Sequence, residues 1–425
     1  MTDTIIAAPR LDWGTAPSAR YESLARPLRP LLARIAAGAV ERDRTHHLPR
    51  EEIAALRAEG FARLRLPQEW GGQGATLPEY FALLIELSEA DPNITNALRS
   101  HGGFVEELLD VEPGAWRDRW LARAGAGDLV GSGFSESGDA PVGTYATRLE
   151  RQGGGRWLLN GGKYYTTGSL YADWIHLGAV DEAGQPVGAL VPTSAPGVEI
   201  TDDWDGFGQR LTASGTVRFT DVALDDGHIK PRATRFRYSG GFFQLVHLAE
   251  LAGIGRAATQ ELASLVAARR RIYPGRGTAP RSSQDPQVLE VVGKVRSAAY
   301  AAGAITLRAA EALERAARAK ADGLDEAARN QVYAQADLEV AQAVTVVTSL
   351  ILDATTVLFD ALGASAAKEG LGLDRHWRNA RTISSHNPRI YHTRIAGDHA
   401  VNGTPPPVRV GTAGGAPAPE QLRAA

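Results

Sequence analysis

The sequence predicts an α+β fold, and three changes of texture along the chain predict it. An amphipathic helical stretch runs from about 21 to 125, and a strand-and-turn stretch from about 128 to 226. An Ala-rich helical stretch follows from about 240 to 371. Helical and two-residue hydrophobic periods distinguish these stretches. They divide the chain into segments 1–127, 128–239 and 240–402, with a Pro/Gly/Ala-rich tail at 403–425 that is expected to be poorly ordered.

In the first segment Leu24, Leu28, Leu31, Leu32 and Ile35 recur at three- and four-residue steps, the stripe of a core-facing helix. Pro67 and the Gly71-Gly72 pair break the helical run. Leu77 to Ala90 and Ile94 to Leu109 then read as two further helices. In the second segment Arg156 to Lys163 reads as a strand entering a tight turn, and Thr216 to Val222 alternates cleanly. The third segment holds long periodic runs at Glu250 to Ile272, Gln287 to Ala319 and Glu326 to Leu362. Ala-rich faces of that length suit close helix packing in a bundle, and an oligomeric interface.

Composition narrows the function classes. At 425 residues the chain has room for two or three domains. A net charge of −3 and pI near 6.4 give no reason to expect nucleic-acid or membrane binding. No apolar run approaches the ~20 residues of a membrane helix, and Met1 to Pro17 has no signal-like apolar core. A cytoplasmic location is the expectation. The absence of cysteine excludes disulfides, thiolate nucleophiles and Fe–S clusters. No spacing matches a metal-ligand pattern, so no metal is expected.

Four motifs carry more specific information. They are Leu66-Pro67-Gln68-Glu69-Trp70-Gly71-Gly72, Ser132 to Gly138, Lys163 to Asp173, and Arg378-Asn379-Ala380-Arg381 leading to His386-Asn387-Pro388. In this order they resemble the acyl-CoA dehydrogenase superfamily over about Leu24 to Gly403. The resemblance implies an N-terminal helical domain, a central β domain and a C-terminal four-helix bundle, assembled as a homotetramer. In the dehydrogenases a Glu of the last motif removes a proton from an acyl thioester, and here Asn387 stands in its place. An amide has no basic site that titrates near neutral pH. His386 stands beside it, where the family has Tyr.

The departures point to the flavin-dependent monooxygenase branch, similar to dibenzothiophene monooxygenases, whose members use FMN. Arg269-Arg270-Arg271 keeps basic residues but loses the Gln-Phe-Gly that follows in FAD-binding members, and Trp204 to Gly215 resembles the monooxygenase branch. The resemblance implies an oxygenase component that takes reduced FMN from a separate NAD(P)H:flavin reductase. It would oxygenate a small S-, N- or C-centred substrate, most simply an organosulfur compound, through a C4a-(hydro)peroxyflavin. His386 is the expected proton donor to that species and His101 its partner. Ser132, Phe134, Ser135, Tyr165, Thr166, Thr167, Asn387, Arg269 and Arg271 are the expected flavin contacts, and Trp204 and Val105 the expected substrate contacts. The alternative is an FAD-dependent acyl-CoA dehydrogenase or oxidase with a relocated base, for which Glu250 is the candidate. A catalytically inactive binding protein on the same scaffold is a third reading.

Overall fold

The N-terminal helices are α1 (Tyr21–Thr45), α2 (Arg50–Ala58), α3 (Leu77–Ala90), α4 (Pro92–Asp110) and α5 (Ala115–Ala126). They are taken from a computed structural model that describes residues 12–138, 144–231, 235–270 and 279–407. Arg271 and residues 408–425 of the tail lie outside the described residues. Leu28, Leu31, Leu32 and Ile35 of α1 are buried, as their spacing requires. α3 starts on a capping box: Thr76 accepts from the Glu79 N–H, and Glu79 accepts from the Thr76 N–H. α4 follows at once, with Asp91 as its cap and Pro92 in the first turn. Arg42 of α1 donates to the Asp91 carboxylate at 2.9 Å and so ties α1 to the start of α4.

Seven strands make one sheet: β1 (Val130–Gly133), β2 (Arg148–Gly153), β3 (Arg156–Lys163), β4 (Trp174–Val180), β5 (Pro186–Pro192), β6 (Val198–Thr201) and β7 (Thr216–Asp225). Their order is β1-β4-β2-β3-β7-β6, with β5 also pairing β4. β1 runs parallel to β4 and sets Ser132 beside His176. The alternation expected of Thr216 to Val222 holds for Val217 and Phe219, then breaks at Thr220-Asp221, where Asp221 is left-handed and the register to β3 shifts, so that Val222 returns to the sheet core.

The C-terminal helices are α6 (Ser239–Ala268), α7 (Pro286–Arg318), α8 (Glu326–Val357), α9 (Asp374–Ser385) and α10 (Ile390–Asn402). α6, α7 and α8 pack on one another, α3 packs on α6, and α9 lies against α6 and α8. One buried cluster runs from Tyr21 through α3 and α6 to Ile383. A second joins helices to sheet through Leu66, Phe104, Trp120, Val130, Trp174 and Leu190. α6 starts at Ser239, where the helical texture begins and well before the Glu250 of the periodic run. In the structure Gly241 is where α6 meets Leu313 of α7, whose Cδ2 is 2.9 Å from where a Cβ would sit.

The expectation that no segment is apolar enough for a membrane needs correction. The helical run Glu326–Ala361 passes that test by length and composition. It is the middle of the bundle, packed by α6, α7, α9 and α10, which accounts for its apolar character.

Candidate functional site

A cavity of about 310 Å³ opens where β1, α4, the start of α6 and the end of α9 meet. α4 offers it Arg99, Gly103 and Glu107, four residues apart and so on one helical face. Gly103 is required by that face: a Cβ there would lie 2.3 Å from Cζ of Phe243, which also lines the cavity. Two anchors hold the walls. The buried Glu106 carboxylate accepts from Arg65 Nε at 2.6 Å and from the Tyr238 hydroxyl at 2.8 Å, which fixes α4 against the start of α6. On α9, Arg378 donates to Asp43 at 2.5 Å and to the Phe207 carbonyl at 3.1 Å. Asn379 accepts from the Gln209 N–H at 2.7 Å, and Ala380 is fully buried. The motif Arg378-Asn379-Ala380 is thus a clamp, and it sets His386, the residue after α9, on the cavity wall.

His386 belongs to a buried cluster. Nη1 of Arg99 lies 2.7 Å from its Nε2 and 3.0 Å from Nε2 of His247, and the two imidazoles are 4.5 Å apart. A guanidinium only donates, so both Nε2 atoms accept, and each neutral ring carries its proton on Nδ1. Burial, and then the Arg99 charge, push the His386 pKa down to about 3, against a smaller upward effect of a hydrogen bond with Asn387. The same forces, with His386 itself, hold His247 well below its ordinary value. Burial brings Arg99 down to about 10, so it stays a cation. Burial also raises Glu250 well above the carboxylate range. Among the described residues both its oxygens lack a hydrogen-bond partner, and Oε2 is 3.7 Å from His247 Nδ1. Glu250 does not line the cavity, so it is not placed as a base for a bound substrate.

Six of the expected residues meet at this cavity: Ser132, Phe134, Ser135, Tyr165, His386 and Asn387. Tyr165 holds a left-handed backbone, φ 58°, and is 51% exposed. The others are turned elsewhere. His101 is buried with Nε2 donating to the Ala62 carbonyl at 2.9 Å, away from the cavity wall. The catalytic role expected of it does not fit, because its bonded ring nitrogen points to Ala62 and it does not line the cavity. Val105 packs in the junction core with Leu66 and Trp120 rather than against a substrate. The Thr166 hydroxyl donates to the Gly215 carbonyl at 2.8 Å, and the Thr167 hydroxyl shares a 2.8 Å bond with Ser214, so both are engaged inside the protein. Trp204 donates to the Gly208 carbonyl and stands 5.9 Å from the Tyr165 ring, outside the wall. Arg269 donates to the Leu362 carbonyl at the end of α6. Arg271 lies outside the described residues.

Sequence reasoning missed Arg99, His247, Arg235 and Phe243. Arg99, Gly103 and Glu107 do carry a signal, a four-residue stripe of unusual composition that leaves His101 on another face. Arg235 and His247 give no comparable sign.

The chain matches three family models in chain order: the acyl-CoA dehydrogenase N-terminal domain over residues 24–128, the middle domain over 135–222 and the C-terminal domain over 245–388. It is 27% identical to a dibenzothiophene monooxygenase of Mycolicibacterium goodii over 92% of this chain and 96% of that protein. It is 29% identical to the probable FMNH2-dependent monooxygenase SfnC of Pseudomonas putida, covering 88% and 93%. Among solved structures, TdsC from Paenibacillus sp. A11-2 in complex with FMN and indole superposes with a TM-score of 0.83 at 25% identity, over 91% of this chain and 99% of that one. Helices, sheet and bundle thus occur in the order of the matched domains, with an Arg378–Ala380 clamp presenting the cavity residue, and the chain belongs to the acyl-CoA dehydrogenase superfamily.

Proposed function

We propose that this chain is the oxygenase component of a two-component, FMNH2-dependent monooxygenase that acts on a small organosulfur compound. The observation that carries the reading is the cavity wall at His386-Asn387: a neutral imidazole and an amide where a dehydrogenase needs an ionised carboxylate. The names and cofactors of the relatives agree with it.

The residues present fit FMN. The side chains of Ser132 and Ser135 face the cavity and make no hydrogen bond to the described residues, which leaves small donors for the polar edge of an isoalloxazine. Tyr165 offers a ring face beside them. When bound, reduced FMN supplies two electrons, with which one atom of O₂ goes to the substrate and the other leaves as water. Phe104, Phe134, Phe236 and Phe243 give the cavity an apolar side, which favours a reaction kept from water. Nδ1–H of His386, beside Asn387, is the neutral donor available to hold the reacting oxygens. The imidazolium expected from an ordinary pKa is not available at neutral pH. A separate flavin reductase belongs to the same reading.

The test is rapid mixing of protein and chemically reduced FMN with oxygenated buffer, with O₂ consumption and oxidised-flavin absorbance followed together. The parent shows a lag between the two that free FMNH₂ lacks. His386→Ala keeps FMN affinity but shortens the lag by about tenfold, the scale of one lost hydrogen bond. A parent with no lag, and bound FAD bleached by an acyl-CoA without oxygen, would replace this reading with a dehydrogenase.

A further inference from the structure

Two guanidinium groups face the cavity, and among the described residues no carboxylate is bonded to either. Arg235 lies just ahead of α6, its guanidinium carbon 3.9 Å from the centre of the Phe134 ring and 5.0 Å from that of Phe243. Among the described residues it has no hydrogen bond or ion pair. Glu107, the carboxylate whose charge it feels, is already paired with the Lys230 ammonium. Among the described residues Arg99 uses only Nη1, on the two imidazoles, and its Nε and Nη2 have no acceptor; Glu250, whose charge acts on it, is pushed toward its neutral form by burial. The two arginines are within electrostatic reach, since the charge of Arg235 helps lower the pKa of Arg99. His176, His247 and His386 are all held neutral around them. Asp337 also lines the cavity but sits 3.6 Å from Arg237. A cation taken out of water without a counter-ion is strongly unfavourable. A cavity lined by two of them, with the Phe134 and Phe243 rings against Arg235, favours an anionic ligand.

We propose that Arg235 and Arg99 form an oxyanion subsite, and that the substrate is a small alkyl or aryl sulfinate. The inference rests on the monooxygenase reading and deepens it. The sulfinate oxygens take the forked N–H groups, the apolar body lies among the phenyl rings, and the sulfur lone pair remains available. The reaction balances: R–SO₂⁻ gains one oxygen atom of O₂ to give R–SO₃⁻, and the other leaves as water with two electrons and two hydrogens from reduced FMN.

The experiment is calorimetric titration of the protein, with and without FMN, by benzenesulfonate and by its neutral isostere methyl phenyl sulfone. Benzenesulfonate, the stable analogue of such a product, binds at least about tenfold more tightly, the least that one charge-assisted hydrogen bond gives. Arg235→Gln removes the preference while FMN affinity and the melting midpoint hold. Arg235→Lys keeps the charge without the fork, and retains a weaker preference for the anion. Equal affinities, a preference that survives Arg235→Gln, or none in Arg235→Lys overturns the proposal. So does a parallel result in which FMN displaces benzenesulfonate and Arg235→Gln weakens FMN, since Arg235 then holds the flavin phosphate. A parent that prefers the sulfonate yet binds no FMN sinks the monooxygenase reading alone.

Discussion

Replacing Arg99 with methionine tests the electrostatic core of the site, because one guanidinium nitrogen fixes two imidazoles. In the parent, the His386 pKa lies near 3 instead of 6.5, a preference for the neutral ring of roughly 5 kcal/mol at about 1.36 kcal/mol per pH unit. Burial is the larger cause and Arg99 the second. Arg99→Met therefore raises the pKa, but leaves it below the ordinary value. Two donor bonds, at 2.7 and 3.0 Å, vanish with the guanidinium. Each is worth about 1.5–3 kcal/mol, but the buried cation's desolvation penalty vanishes too, so the net loss is about 1–3 kcal/mol. The assay is ¹⁵N NMR of histidine-labelled protein between pH 5 and 8. In the parent, Nε2 of His386 has the shift of an unprotonated acceptor, Nδ1 that of a protonated nitrogen, and neither moves with pH. In Arg99→Met, the two tautomers mix and titration begins at the acid end. A parent His386 that titrates near 6.5, or carries its proton on Nε2, would refute the reasoning. The same pKa sets an acid limit on stability. The unfolded chain takes up the proton first as pH falls below about 6.5, so the fold loses stability from there down to about pH 3, by up to roughly 5 kcal/mol.

Two further outcomes follow from packing. Gly103→Ala puts a methyl group into Phe243 and drives that ring into the cavity. Stability drops by about 1–3 kcal/mol, KM rises and FMN affinity stays, as steady-state kinetics and flavin titration would show; an unchanged KM would argue against Phe243 as cavity wall. His101→Leu leaves the part-buried Ala62 carbonyl without its donor. It lowers the urea unfolding free energy by about 1–3 kcal/mol but leaves the ratio of product to H₂O₂ unchanged, and a shift in that ratio would return His101 to the chemistry.

Local chemistry made much of this fold legible. The Thr76-Leu77-Pro78-Glu79 run states where α3 begins, and the structure builds the capping box there. The Arg378-Asn379-Ala380 frame, read as a motif, turned out to be a physical clamp of ion pair, hydrogen bond and buried methyl group. The motif residues Ser132, Phe134, Ser135, His386 and Asn387 do share one cavity. His101 was misread because adjacency along a helix is not adjacency in space: at 100° per residue it turns to the core while Arg99 and Gly103 face the cavity. Thr166 and Thr167 were misplaced for a related reason, since nothing nearby in sequence announces that the turn at Ser214-Gly215 takes their hydroxyls.

The sequence by itself determined the order of helical, strand and helical segments and, through its resemblance to the acyl-CoA dehydrogenases, the loss of their base at Asn387 beside His386. The first depends on periodicity and the second on residue identity within a motif, which short windows contain. Only the tertiary structure decided the charge and tautomer of His386. Its controlling partner, Arg99, lies 287 residues away, and His247 is 148 residues from Arg99. Burial and the field of a buried cation arise only when α4, α6 and α9 come together.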